Sequence, residues 1–162
     1  MPAADEVRES PPYPAYAAIA ATFAGGLSAA ALLARLLGRE PRDENVFDLV
    51  LISAATFKAA RTISRDEVTS FIRAPFVEGH AHEGGESPKE TGDLHQAIGE
   101  LVTCSRCIGT WVAAGLAAVQ ITAPRMGRLL TWTLAAAGVN DFLQAAFAAL
   151  TAKSNELERL SS

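Results

Sequence analysis

Long stretches without charge constrain the fold of this chain more than any other feature. No charged residue occurs from Ser10 to Ala34, and residues 15–33 consist mainly of Ala, Leu, Ile, Phe and Gly. A run of about 18 or more apolar residues is long enough to cross a bilayer as a helix. A buried helix of a soluble bundle usually shows a polar stripe, whereas here only Thr22 and Ser28 interrupt the run. We therefore predict a transmembrane helix over residues 15–37.

Three further membrane helices are predicted downstream, over residues 46–63, 105–123 and 129–151. The second has the least apolar composition, and Asn45 precedes it as an N-cap. It either spans the bilayer, with its basic residues reaching the headgroups, or lies at the interface as an amphipathic helix. We favour the spanning arrangement. The third and fourth helices are joined by a short turn, as expected for antiparallel neighbours.

Polar segments surround this single helical membrane domain, residues 15–152. Residues 1–14 form a proline-rich flexible arm, and residues 153–162 form a polar tail. The loop over residues 64–104 is expected to carry short helices, one capped by Ser64 and one starting with a capping box of Asp93 and Gln96. The Gly- and His-rich part of this loop, residues 78–93, is expected to have the least structure.

The fold class that follows is an all-α, multi-pass membrane protein with four transmembrane helices and a short helical cytoplasmic loop. The counts of Lys and Arg on the two sides favour both termini and the loop in the cytoplasm of a bacterial cell. A net charge of −4 without a basic run excludes nucleic acid as a partner. The start of the chain lacks the basic region of a signal peptide.

The two cysteines form one Cys-x-x-Cys pair, Cys104 and Cys107, at the predicted entry to the third membrane helix. Residues three apart share a helix face, and a helix N-terminus favours thiolate. Three roles stay open: packing at the helix start, a dithiol redox couple, or half of a zinc site. His80, His82 and His95 are weak candidates to complete such a zinc site, although three histidines in a polar loop are more often solvated. No other cofactor is expected.

Asp141, next to Asn140, is the only charged residue between Arg128 and Lys153. An acid inside an apolar helix is costly and usually has a partner or a function. Lys58 or Arg61 is the natural counter-ion, since the second and fourth helices run in the same direction. A structural ion pair is the preferred interpretation, and a proton or ion pathway is the alternative.

Several motifs resemble a known family. They are Ala55-Thr56-Phe57 with Arg61, Arg65-Asp66, Arg73-Ala74-Pro75-Phe76, Gly99-Glu100-Leu101-Val102-Thr103-Cys104, Cys107-Ile108-Gly109-Thr110-Trp111, and Gly138 with Asp141-Phe142-Leu143. Together, over about residues 48–150, they are similar to the bacterial domain-of-unknown-function family number thirteen-sixty. The resemblance implies a small bacterial membrane protein with several helices, and some members carry a sporulation label. It implies no reaction or ligand. The chain departs from the family between the cysteines, where Ser105-Arg106 replaces the usual proline or aromatic residue.

The sequence therefore predicts a small bacterial integral membrane protein that is a structural or accessory subunit rather than an enzyme. Its partners are the lipid bilayer and another membrane or cytoplasmic protein. The first alternative is a membrane dithiol or zinc-binding protein using Cys104 and Cys107. The second is a proton or ion pathway through Asp141.

Overall fold

A computed structural model describes residues 11–39, 45–79 and 85–161 of the protein. Six helices follow one another: α1 Tyr13–Leu36, α2 Val46–Arg65, α3 Ser70–Arg73, α4 Leu94–Thr103, α5 Ser105–Thr122 and α6 Pro124–Ser161. A 3₁₀ turn, Glu67–Thr69, precedes α3. Two short antiparallel strands, β1 Val77–Glu78 and β2 Ser87–Pro88, pair with Val77 opposite Pro88. The described part of the chain is thus mostly helical, as predicted.

Local chemistry explains where the first two helices end and begin. Gly38 follows α1 with φ +62°, and the Arg39 and Gly38 amides donate to the carbonyls of Ala34 and Arg35. This glycine-terminated ending satisfies carbonyls that the last helical turn leaves free. At the start of α2, the Asp48 amide donates to Asn45 Oδ1 at 3.0 Å and the Asn45 amide donates to Asp48 Oδ2 at 3.3 Å. The predicted N-cap is therefore present as a complete capping box.

Helix α2 lies at the centre of the bundle and contacts both α5 and α6. Phe47 contacts Trp132 near the start of α2, and Phe57 stacks on Phe142 farther along, so α2 and α6 run parallel. Helix α1 packs on α5. The core holds small residues around one leucine, with Ala55, Ala135 and Leu116 buried together.

Gly138 lets α6 approach α2 closely. A Cβ atom at this position would lie 3.1 Å from the carbonyl oxygen of Ala54 and 3.3 Å from the Cβ of Lys58. Small residues at a helix crossing allow the two backbones to pack tightly, which is a common arrangement in membrane helix pairs. Helices α2 and α6 thus pack closely around Ala54, Lys58 and Gly138.

The large apolar side chains lie outside the bundle, whereas the buried residues are mainly alanines. Leu32 and Leu36 of α1 and Leu143, Phe147 and Leu150 of α6 are all more than half exposed. Contiguous apolar surface of this kind marks an interaction with lipid or with another protein. Among the described residues, α1 and α6 are long and apolar enough to cross a membrane. The α4–α5 pair gives a third candidate when its two helices, bent by 85°, count as one span. Four spans therefore stay a prediction, because α2 is not apolar enough by this measure and α5 is so only together with α4.

The structure corrects the predicted fourth helix and the polar tail. Residues 129–151 were expected to be helical after a turn, and residues 153–162 to be a tail, yet α6 runs unbroken from Pro124 to Ser161. Proline fits the first helical turn because the missing amide would have no partner there. Lys153 and Glu156 pair at 2.9 Å along the same helix, which supports the continuation.

The loop between α2 and α5 also differs from the prediction. Ser64 does not cap a loop helix, because it is a buried residue of α2. Asp66 instead occupies the position before the 3₁₀ turn. The segment expected to have the least structure contains the paired strands β1 and β2, while residues 80–84 lie outside the described chain.

Candidate functional site

The loop segment forms a compact head around one arginine. We define the head as residues 66–79 and 85–103. Arg73, at the end of α3, is fully buried, and its Nε lies 2.5 Å from the Oε2 of Glu86, whose side chain is 10% exposed. The Nη1 of Arg73 donates to the carbonyls of Ile63 and Asp66, at 2.6 and 3.1 Å. One guanidinium thereby joins the end of α2 to the segment between the two strands.

A buried guanidinium carries a high desolvation cost unless its donors are paired. Arg73 meets this need through Glu86 and three hydrogen bonds from Nη1, the third to the Thr69 hydroxyl at 3.0 Å. Its Nη2 is buried and has no partner among the described residues. The Arg73–Glu86 pair therefore acts as the internal anchor of the head, and the loss of either partner leaves the charge of the other without compensation.

Asp93 fixes the start of α4 within the head. Its Oδ1 accepts the His95 amide at 2.8 Å and the Thr91 hydroxyl at 2.6 Å. These hydrogen bonds, the Thr91 hydroxyl first, hold the pKa of the Asp93 carboxyl below its usual range. The predicted capping box is only partly correct, because Gln96 Oε1 accepts from the Gly92 amide at 2.9 Å.

Glu100 connects the head to α1. Its two carboxylate oxygens accept the Tyr16 hydroxyl of α1 and the Gln96 side-chain amide of α4, the latter at 2.9 Å. The sequence indicated no long-range role for Tyr16 or Glu100. This contact ties the start of α1 to the same helix that leads into the cysteines.

The two cysteines lie at the corner between α4 and α5 and are joined by a disulfide. Cys104 is the N-cap of α5, and its sulfur accepts the Cys107 amide at 3.3 Å. The bond closes the first turn of α5 immediately after the 85° bend. Both sulfurs are used in this bond and are therefore not ligands for a metal.

His95, the one candidate histidine within the described residues, does not complete a metal site with the cysteines. His80 and His82 lie outside the described residues. His95 lies at the start of α4, and its ring centroid is 4.8 Å from that of Phe76. Cys104 follows the other end of α4, about 13 Å away along the helix axis. In the described chain no cluster of three or more His, Cys, Asp or Glu side chains is arranged to hold a metal ion.

Asp141 of α6 pairs with Lys58 of α2 in the bundle. The ammonium nitrogen of Lys58 lies 2.8 Å from Asp141 Oδ2, and the two side chains are 22% and 37% exposed. Arg61, the other candidate counter-ion, and Asn140 are both exposed and make no hydrogen bond with Asp141. The pair lies beside the close α2–α6 contact, since Lys58 also borders Gly138. This geometry suits an ion pair that fixes the register of two parallel helices.

The part of the chain that carries this site is similar to known proteins. A family model described as a protein of unknown function, DUF1360, matches residues 51–147, which is more than half of the chain. A curated protein of Bacillus subtilis (strain 168), called sporulation protein YjcA, is 29% identical over 106 residues. That alignment covers 62% of this chain and 90% of the relative. No solved structure matches the chain. The matched region contains the Lys58–Asp141 pair, the head and the cysteine corner, and this chain belongs to the DUF1360 family.

Proposed function

We propose that this chain is a multi-pass bacterial membrane protein that serves as a structural or accessory subunit rather than as an enzyme. One observation carries the proposal: many large apolar side chains are exposed on the outside of the bundle, while most of the buried apolar residues are alanines. In lipid, tight helix packing relies on small residues, and large apolar residues face the acyl chains. Four spanning helices, α1, α2, α5 and α6, are the arrangement that we propose.

Membrane extraction tests this placement directly. Membranes from cells that express the tagged chain are washed with alkaline carbonate and then dissolved in detergent. We expect the protein to resist the wash and to enter solution only with detergent. Recovery of the monodisperse protein from the soluble fraction without detergent would contradict the proposal.

The head is the part that we expect to contact a protein partner. Val68 and Phe71 are each more than 70% exposed, and Ile72 is 40% exposed, on a segment held in place by Arg73. Exposed apolar groups on an ordered polar head favour association. A photo-crosslinking amino acid at Phe71 should capture a partner in native membranes, whereas the same group at exposed Glu90 should not. Equal capture at both positions, or none at Phe71, would count against this role.

We propose that the head and both termini face the cytoplasm. Arg61, Arg65 and Arg106 lie at this end of the bundle, and the Lys and Arg counts favour it. A protease added to intact spheroplasts should therefore leave the head uncut, whereas the same protease should cut the head in inside-out membrane vesicles. Cleavage of the head in intact spheroplasts would place it outside the cytoplasm.

A role in sporulation is a proposal that rests on the name of the Bacillus subtilis relative. Expression of this chain in a strain lacking that relative tests it. We expect this chain to correct any sporulation defect of that strain, measured as the number of heat-resistant spores. A defect that persists despite full membrane expression would restrict the sporulation role to the relative.

The geometry does not favour the two alternatives. The disulfide closes the α4–α5 corner, which gives the Cys-x-x-Cys pair a structural task. The carboxylate of Asp141 is bound to Lys58 at 2.8 Å and is therefore engaged in a helix contact.

A further inference from the structure

A polar cleft opens at the end of the bundle opposite the head. It has a volume of about 910 Å³ and lies where the end of α1, the start of α2 and the α5–α6 turn meet. Its described lining carries three arginines, Arg39, Arg125 and Arg128, against one carboxylate, Asp48. Among the described lining residues, positive charge is therefore in excess.

Existing contacts leave most of this charge without compensation. The carboxylate of Asp48 already accepts the Asn45 amide in the capping box of α2. Arg39 donates to the backbone carbonyl of Thr122, which carries no net charge. Within the described ranges, Arg125 and Arg128 contact no carboxylate. Two arginines on adjacent turns of α6 therefore have no counter-ion in the part of the chain that the structure describes.

The backbone adds to this preference for negative charge. Pro124 is the first residue of α6 and belongs to the lining of the cleft. The first amides of a helix lack carbonyl partners, and the helix dipole makes this end positive. Arginine forks and a helix N-terminus both bind phosphate oxygens well.

An apolar groove continues from the cleft along α6. It has a volume of about 570 Å³ and is lined by Leu129 and Trp132 together with Pro124, Arg125 and Arg128. Trp132 is half exposed and also lines the polar cleft. A phosphate bound by the arginines would therefore carry its apolar portion directly onto Leu129 and Trp132.

We propose that this cleft binds the phosphate headgroup of an anionic phospholipid, with an acyl chain in the groove beside Trp132. The inference rests on the membrane placement proposed above. A free phosphate shares the headgroup chemistry, but it would leave the apolar groove unfilled. A basic pocket between helices at the membrane surface is a recurring site for anionic headgroups.

Tryptophan quenching by brominated lipids tests the site. A Trp111→Phe variant keeps an aromatic ring against Phe23, whose centroid lies 5.1 Å from that of Trp111, and leaves Trp132 as the only tryptophan. The purified variant is placed in bilayers containing brominated phosphatidylglycerol or brominated phosphatidylcholine. We expect phosphatidylglycerol to quench Trp132 at a lower mole fraction. Equal quenching by both lipids would overturn the proposal.

Charge removal supplies the second test. Arg125→Gln with Arg128→Gln should reduce the preference for phosphatidylglycerol about 25-fold, from about 1 kcal/mol per arginine near a membrane surface. The matched control, Arg65→Gln with Arg106→Gln, removes the same charge at the other end of the bundle and should keep the preference. Equal losses in both double variants would show general surface attraction and overturn the site.

Inorganic phosphate distinguishes the two sources of the anion. We expect it to leave the quenching by phosphatidylglycerol unchanged at equal ionic strength. Its displacement of the lipid would instead identify a site for free phosphate. Quenching by neither lipid would contradict the membrane placement itself, and the lipid site with it.

Discussion

Replacement of Asp141 by asparagine separates a structural ion pair from a proton pathway. Asparagine keeps the size of the side chain but removes the charge that faces Lys58 at 2.8 Å. Exposed ion pairs contribute about 0–1 kcal/mol, whereas removal of one partner of a buried pair costs about 3–5 kcal/mol. Because the two side chains are 22% and 37% exposed, we expect Asp141→Asn to lower the free energy of unfolding by about 2 kcal/mol.

A double variant removes both charges of the Lys58–Asp141 pair. Lys58→Gln combined with Asp141→Asn should be more stable than the sum of the single variants predicts, by about 1 kcal/mol, because no ammonium is left without a counter-ion. Asn140→Ala is the matched control, since Asn140 is exposed and makes no hydrogen bond with Asp141. A change within about 0.5 kcal/mol is expected there.

Unfolding in detergent micelles, followed by circular dichroism, measures these free energies, and proton flux in liposomes is recorded in parallel. Strictly additive single variants would refute the proposed coupling between Lys58 and Asp141. A variant Asp141→Asn that unfolds like the unmodified protein yet loses a proton flux would identify Asp141 as part of a pathway.

Three further expectations concern the head and the helix crossing. Arg73→Met should unfold the head, at a cost of about 3–5 kcal/mol, because Glu86 keeps a buried charge. Limited proteolysis checks this through cleavage within the head, beyond residue 66. A head that stays protected would refute it. Gly138→Val should destabilise the α2–α6 contact by about 1–3 kcal/mol. Gly25→Ala should not, because a Cβ atom at residue 25 would have no neighbour within 4 Å. Equal melting temperatures of the two variants would contradict the close packing. Asp93 has a lowered pKa, so its stabilisation of α4 is present above the unfolded pKa of about 3.9 and is lost as the pH falls through the folded value. Protection of the α4 amides, measured relative to the intrinsic exchange rate at each pH, should fall in acid, and unchanged protection would exclude this.

Local sequence signals predicted helix starts and one long-range contact. Asn45 and Asp48 form a capping box because the required side chains lie three residues apart, so nothing distant is needed. The contact between Asp141 and Lys58 followed from the cost of a lone acid among apolar residues and from the parallel course of two helices. Arg61 was an equal candidate from the sequence, because side-chain direction at the helix crossing decides between the two.

Long-range contacts in the polar loop gave no comparable signal. Arg73 lies thirteen residues before Glu86, and Glu86 belongs to the Gly- and His-rich segment, whose composition is typical of disorder. Their pairing depends on a position for Arg73 that is fixed by hydrogen bonds to Ile63, Asp66 and Thr69, which composition does not encode. The state of Cys104 and Cys107 was equally beyond the sequence, because spacing alone permits a disulfide, a dithiol or a metal site. The arginines of the cleft contributed to the sequence prediction only through the counts of Lys and Arg on the two sides of the membrane.

The uninterrupted course of α6 has a consequence for whatever lies near its last turns. At 1.5 Å per residue, its 38 residues extend about 57 Å. The hydrocarbon layer of a bilayer is only about 30 Å thick. In the membrane placement that we propose, a helix of this length that starts at one surface at Pro124 extends beyond the lipid at the other surface. Its last turns, with Lys153 and Glu156, then lie in water and set the distance between the membrane and anything that binds them.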